Sequence, residues 1–370
     1  MNSFRTALRG VALAFVTTAV TTAAVPVAQA AGNSYQQHNL VSDGTIPADH
    51  TDRNLVNAWG IAFNPTAFVW VTDNKTGVST LYDGLGNPQS LVVAIPGADD
   101  KTPGSPTGIV FNPFPNDFRV GNAASAFIFA TEDGVIAAWA PAVDQTHALR
   151  KAAQPNTVYK GLALAANGTA SFLYAADFRG AKIDVYDRSF ALVTAPGGFR
   201  DSSIPRGFAP FNIQNIQGNL YVAYAKQDDA RMDEVAGAGL GFVNVFDANG
   251  NLIRRIASRG RLNAPWGLAL APANFGQFSN RLLVGNFGDG AIHAFDPHSG
   301  EFLGRLRASD GKPLHIDGLW ALVFGNGVQN QPTSTLFFTA GPDDENHGLY
   351  GTITPAPGGR DDDHDRDDDD

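Results

Sequence analysis

Apolar and polar positions alternate along most of this chain in runs of roughly four to eight residues, broken by glycine, asparagine and aspartate. A period of two puts alternate side chains on opposite faces of an extended backbone, so the pattern predicts short strands joined by tight turns. One phrase recurs about every fifty residues. It reads Trp59-Gly60-Ile61-Ala62-Phe63, Thr107-Gly108-Ile109-Val110-Phe111, Lys160-Gly161-Leu162-Ala163-Leu164, Asn212-Ile213-Gln214, Trp266-Gly267-Leu268-Ala269-Leu270 and Asp317-Gly318-Leu319-Trp320-Ala321-Leu322. The fourth copy lacks the glycine.

Each opening phrase leads to a second apolar run, such as 68–71, 127–130 or 282–284, and then to a polar hairpin. A third run ends in an aromatic residue followed by aspartate, as in Tyr82-Asp83, Tyr186-Asp187, Phe246-Asp247 and Phe295-Asp296. A turn such as Asn249-Gly250 or Ser299-Gly300 leads to a fourth. Four strands per repeat and six repeats predict an all-β fold, a six-bladed β-propeller of four-stranded blades whose closed ring protects most sheet edges. The glycine suits an innermost strand, where backbones crowd the axis. The sixth repeat runs out after Ile353, so residues 35–41 are expected to supply its missing outer strand and close the ring.

The phrase from Ala264-Pro265-Trp266-Gly267 through Asn286-Phe287-Gly288-Asp289-Gly290 to Phe295-Asp296 resembles NHL-type repeats. Several stretches look similar to a family of exported bacterial propellers whose members sometimes carry PEP-CTERM sorting tails. They are Phe127-Ile128-Phe129-Ala130-Thr131-Glu132-Asp133-Gly134, Tyr159-Lys160-Gly161-Leu162, Ala209-Pro210-Phe211-Asn212-Ile213-Gln214, Leu283-Val284-Gly285-Asn286-Phe287-Gly288 and Ile316-Asp317-Gly318-Leu319-Trp320. The resemblance covers roughly residues 35–355. It implies the fold and no activity, and this chain ends in Asp, His and Arg instead of a sorting helix.

The two ends of the chain read differently from the repeats. Arg5 and Arg9, an apolar stretch and Ala28-Gln29-Ala30 form the pattern of a cleaved secretory signal over residues 1–30, too short in its apolar core to span a membrane. Residues 31–357 are expected to fold as the propeller, and 358–370 to be a disordered Asp-rich tail. The product expected is a secreted, monomeric protein, periplasmic or extracellular, with no membrane span after cleavage. The net charge of −10 is largely that tail, with eight Asp against one Arg in its last ten residues, and no basic stripe suggests nucleic acid. Cysteine is absent, so stability rests on the core alone.

In a four-stranded blade the start of the inner strand and the hairpin between the second and third strands share one face. The residues before each repeat glycine, or before its equivalent, should therefore ring the mouth of the central channel: Trp59, Thr107, Lys160, Asn212, Trp266 and Asp317. Lys160 and Asp317 are expected to face each other across the axis. Such a ring suits a small molecule, a glycan or a protein as partner, and is equally what strand starts packed on neighbouring blades would show. The hairpins add carboxylates and amides, of which Glu132, Asp177, Asn286, Asp289 and Asp343 form a candidate set for Ca²⁺. Asp and Asn before Gly are also what tight turns require. Residues 226–241 form a long polar loop in blade four, a candidate lid. No nucleophile elbow, phosphate loop or His-x-x-x-His spacing is present. Binding at the mouth face is the leading expectation. A Ca²⁺-dependent lactonase or phosphotriesterase-like hydrolase with an axial metal is the alternative, and a surface or matrix component the third.

Overall fold

The computed structural model describes residues 34–356. The secretory-signal pattern and the Asp-rich tail lie outside the described residues. Six four-stranded antiparallel blades form a β-propeller. The inner strands are Ala58–Phe63, Pro106–Phe111, Tyr159–Ala166, Phe208–Ile216, Pro265–Leu270 and Leu319–Phe324 for blades one to six. The second strands are Val69–Asp73, Phe127–Thr131, Ser171–Asp177, Asn219–Lys226, Leu282–Asn286 and Leu336–Ala340.

The ring closes as the sequence predicts. Tyr35–Ser42 pairs antiparallel with Leu349–Pro355 and becomes the outer strand of blade six, with the two-residue strand His50–Thr51 parallel beside it. The Tyr35 hydroxyl donates to the Phe275 carbonyl at 3.1 Å and accepts from the Phe278 amide at 3.2 Å, so the latch also grips blade five.

Seven apolar clusters hold the described residues together. Six lie between neighbouring blades, such as the one where Trp70 stacks on Phe127 at 4.2 Å between blades one and two. The seventh sits on the axis. Every pairing of inner with second strand carries a register shift near the start of the inner strand. Such a bulge turns the residues beside it toward the axis. The glycine next to the bulge is required by close approach: a Cβ on Gly60 would lie 2.2 Å from the Thr107 carbonyl oxygen, and one on Gly108 2.6 Å from the Leu162 amide.

The pairing corrects the alignment of two repeats. Leu322 lies opposite Phe338 as Leu268 lies opposite Val284 and Ile61 opposite Val71. The counterpart of Trp59-Gly60 in blade six is therefore Trp320-Ala321. Gly318, with φ +63°, belongs to the turn before the strand. In blade four Ile213 opposes Val222, so Asn212 stands at the glycine position and Phe211 takes the position expected for Asn212.

Candidate functional site

The corrected register sets six side chains around the axis: Trp59, Thr107, Lys160, Phe211, Trp266 and Trp320. Trp59 and Trp320 stack at 3.6 Å, Trp266 meets Trp320 edge-on at 6.0 Å, and Phe211 lies 5.8 Å from Trp320. All four are buried. A second ring comes from the residue that follows each second strand, or in blade four from its counterpart by register, Ala225, inside the strand: Asn74, Glu132, Phe178, Ala225, Phe287 and Gly341. Phe287 stacks on Trp320 at 4.1 Å and Phe178 lies 5.2 Å from Phe211. Gly341 leaves room for this packing, because a Cβ there would lie 2.1 Å from Asn57 Oδ1. The expected mouth is thus an aromatic plug. Beyond it the channel opens on the opposite face as an apolar funnel of about 470 Å³, lined by Ile61, Phe111, Leu162 and Val323.

Thr107 and Asn212 serve a belt that ties blade to blade. Thr107 Oγ1 donates to the Tyr159 carbonyl at 2.9 Å, and Asn212 Nδ2 donates to the Trp266 carbonyl at 2.7 Å. Thr72 continues the belt to the Thr107 carbonyl at 2.6 Å, and Thr339 to that of Trp59. Both predicted residues are saturated by backbone.

Lys160 is the exception within the plug. It is 1% exposed, and its ammonium lies 4.9 Å from the centroid of the Trp59 ring. It pairs with Glu132 at 2.6 Å and Asp233 at 3.2 Å. The expected partner, Asp317, is an exposed residue of the loop entering blade six, and its carboxylate accepts from the Asp343 amide at 2.9 Å. The shifted register of blade six takes Asp317 off the axis. Burial works against the charge on Lys160, yet Glu132, Glu234 and Asp233 together outweigh it and hold the pKa above the usual lysine range.

The long blade-four loop delivers two of these carboxylates. It is anchored to blade three through Gln227 Nε2, which donates to the Phe178 carbonyl at 2.6 Å, and to blade five through Asn263 Oδ1, which accepts from the Gly237 amide at 2.6 Å. Burial pushes the Glu234 carboxyl up to about 7, against the pull of Lys160. Glu345 is raised as well, again chiefly by burial. Its carboxylate accepts from Asn57 Nδ2 at 2.8 Å; Asn57 Oδ1 accepts from the Trp320 indole at 2.8 Å, and Asn74 links Asn57 to Glu132. Asp343, Asp344 and Glu345 all hold positive φ, of 56°, 51° and 64°. Left-handed backbone costs non-glycine residues roughly 1–2 kcal/mol each, and such strain persists where the surroundings over-determine it.

The candidate Ca²⁺ set is not brought together. Glu132 belongs to Lys160, Asp177 caps its own turn at the Gly180 amide and lies 3.5 Å from Lys182, and Asn286 donates to the Arg261 carbonyl. Asp289 accepts from the Ala291 amide, and exposed Asp343 lies 3.7 Å from His347. These residues sit in the hairpins of four different blades and do not converge, although Asn286 Oδ1 is left without a partner among the described residues. Among the described residues no group of three or more His, Cys, Asp or Glu is placed to hold a metal ion.

Alignment on the glycine missed Trp320 and Phe211 as axial residues, and the aromatic and small members of the second ring, Phe178, Ala225, Phe287 and Gly341. Alignment on the end of the second strand would have found that ring, since Asp73-Asn74, Thr131-Glu132, Asp177-Phe178 and Asn286-Phe287 keep one offset.

No family model matches the chain. Its sequence is 36% identical over 332 residues to uncharacterised protein L690 of Acanthamoeba polyphaga mimivirus, covering 86% of each chain. It is 35% identical over 326 residues to uncharacterised protein R648 of the same virus, covering 85% of this chain and 78% of that one. Among solved structures, a glucose dehydrogenase matches with a TM-score of 0.55 at 11% identity, over 86% of this chain and 99% of that one. A streptogramin B lyase matches with a TM-score of 0.50 at 11% identity, over 87% and 97%. Identities this low show the propeller fold alone.

Proposed function

The chain belongs to the family of the mimivirus proteins L690 and R648, and from its axial face we propose that it binds a small ligand presenting a cationic nitrogen. One observation carries this. Glu234 and Glu345 stand beside Lys160 with raised pKa values, and neither has a cation of this chain within salt-bridge distance among the described residues. Carboxyls gathered around a single ammonium leave negative charge over, and a ligand cation compensates it. Lys160, held over an indole and between two carboxylates, displays the same mode of recognition inside the fold. The strained 343–345 backbone that presents Glu345 supports a role for that carboxyl beyond stability.

Entry requires the blade-four loop to lift, parting Asp233 from Lys160. The proposal keeps export with it, on the pattern of residues 1–30, so the ligand is met outside the cytoplasm; mass spectrometry of the mature protein reads the new N-terminus. The test of binding is thermal stabilisation by a panel of primary and quaternary amines. Melting should rise, more above pH 7 where Glu234 ionises, and Glu234→Gln with Glu345→Gln should abolish the rise. A panel that leaves melting unchanged at pH 8 overturns the proposal. Acid–base catalysis is the second reading, favoured by a carboxyl near pH 7 beside an ammonium; turnover lost in Glu234→Gln while amine binding persists would mark it.

A further inference from the structure

A second site stands apart from the axis and does not depend on that function. Between blades three and four a cleft of about 880 Å³ opens at the outer rim. Three features meet there. The first is an open strand edge. The third strand of blade three, Lys182–Tyr186, pairs with its outer neighbour Leu192–Val193 only at Val185 and Tyr186. The chain then leaves as a loop, and residues 182–184 have no strand along their outer edge among the described residues. The second is unbalanced charge. Arg200, Arg206 and Arg231 line the cleft without a carboxylate partner among the described residues. The acidic residues nearby are already engaged: Asp184 accepts from the Tyr159 hydroxyl and pairs with Lys182, and Asp201 pairs with Arg255. The third is apolar and polar surface left over. Leu192 and Val193 are 49% and 36% exposed, Ile183 and Phe208 line the cleft, and the buried hydroxyl of Tyr224, another lining residue, has no hydrogen-bond partner among the described residues.

We propose that this cleft docks an extended acidic peptide of a partner protein, which adds as a strand to the edge at residues 182–184. An unpaired edge supplies main-chain donors and acceptors, and strand addition draws its affinity from them. The alternation of an added strand sends one set of side chains to the apolar wall and the other toward the arginines. Arg200 and Arg206 stand on the loop from blade three to blade four, and Arg231 on the blade-four loop. Charge spread along two loops matches an extended chain of carboxylates better than a single anion. In a chain of net charge −10, three uncompensated arginines in one cleft are a local reversal of sign.

The probe is a fluorescein-labelled ten-residue peptide alternating Asp with Val and Thr, titrated with the intact protein by fluorescence anisotropy. Binding is expected to weaken at least tenfold in the Arg200→Ser, Arg206→Ser, Arg231→Ser variant, whose three sites are exposed and leave the blades intact. Methylating alternate backbone nitrogens of the peptide, which removes its donors while keeping its charge, should weaken binding by a similar factor. Full binding by the methylated peptide would reveal a charged surface open to any polyanion, such as heparin, and would overturn strand addition. Indifference to the arginine substitutions, or no rise in anisotropy at all, overturns the proposal outright.

Discussion

Glu234 lies in a half-buried position within a loop that is otherwise polar, and its charge state is tied to the stability of the whole fold. An unfolded glutamate titrates near 4.5, and this one titrates near 7 in the folded chain. Between those values the folded protein holds a proton that the unfolded chain has released. Stability therefore falls as pH rises through this window, and the loss is complete above about 7. Urea unfolding at pH 5 and pH 8 should show the lower midpoint at pH 8, and Glu234→Gln should shrink the difference. An equal difference in the variant would assign the slope to another group. Asp201 acts in the opposite sense and lower down. Its pKa is held to about 2 by hydrogen bonds from Ser203 and by Arg255, against the opposing effect of burial, so its contribution is lost only as pH falls below about 4.

At the scale of the strand, the outer strand of blade six is the element on which closure depends. Removing the hydroxyl in Tyr35→Phe leaves the Phe275 carbonyl and the Phe278 amide without their partner. A loss of about 1–3 kcal/mol is expected, read as a lowered urea midpoint with an unchanged slope. Most strands were legible from alternation, and so was this latch, because the sixth repeat visibly ran short. The inner strand of blade six was legible as a strand but not in register. Asp317-Gly318-Leu319 imitates the repeated phrase three residues early, and only pairing with Leu336–Ala340 decides between them. Asn212 was misplaced for a related reason: an amide in the glycine position hides the copy, and Phe211 beside it read as ordinary core. Lys160 and Glu132 were both singled out from sequence, whereas their bond was not. Sequence spacing cannot say that a loop from blade four will cross to meet them.

For the whole molecule the ring is the unit, and its two described ends meet: the Ala356 amide donates to the Ser34 carbonyl at 2.9 Å. A circular permutant that joins these ends through a short linker and opens at Gly311 tests what the latch contributes. Gly311 lies in an exposed turn, with open space where a Cβ would stand. In that permutant no blade is shared between the termini, so the ring is shut by blade packing alone. It should keep its β-sheet circular dichroism and melt below the parent. Equal melting would show that the apolar contacts between blades suffice.

The shared blade also fixes an order in time. Tyr35–Ser42 is made before the first five blades, yet its partner, Leu349–Pro355, is made only after them. Until the ribosome reaches the far side of that pairing, the growing protein is an arc with two raw ends, and the opening strand waits unpartnered through the synthesis of five blades. Contacts this distant in sequence form slowly, and a waiting strand that fits one groove in its own chain fits the same groove in a neighbour. Crowded, rapid production is therefore where exchanged dimers of this propeller should arise, each copy completing the other's sixth blade.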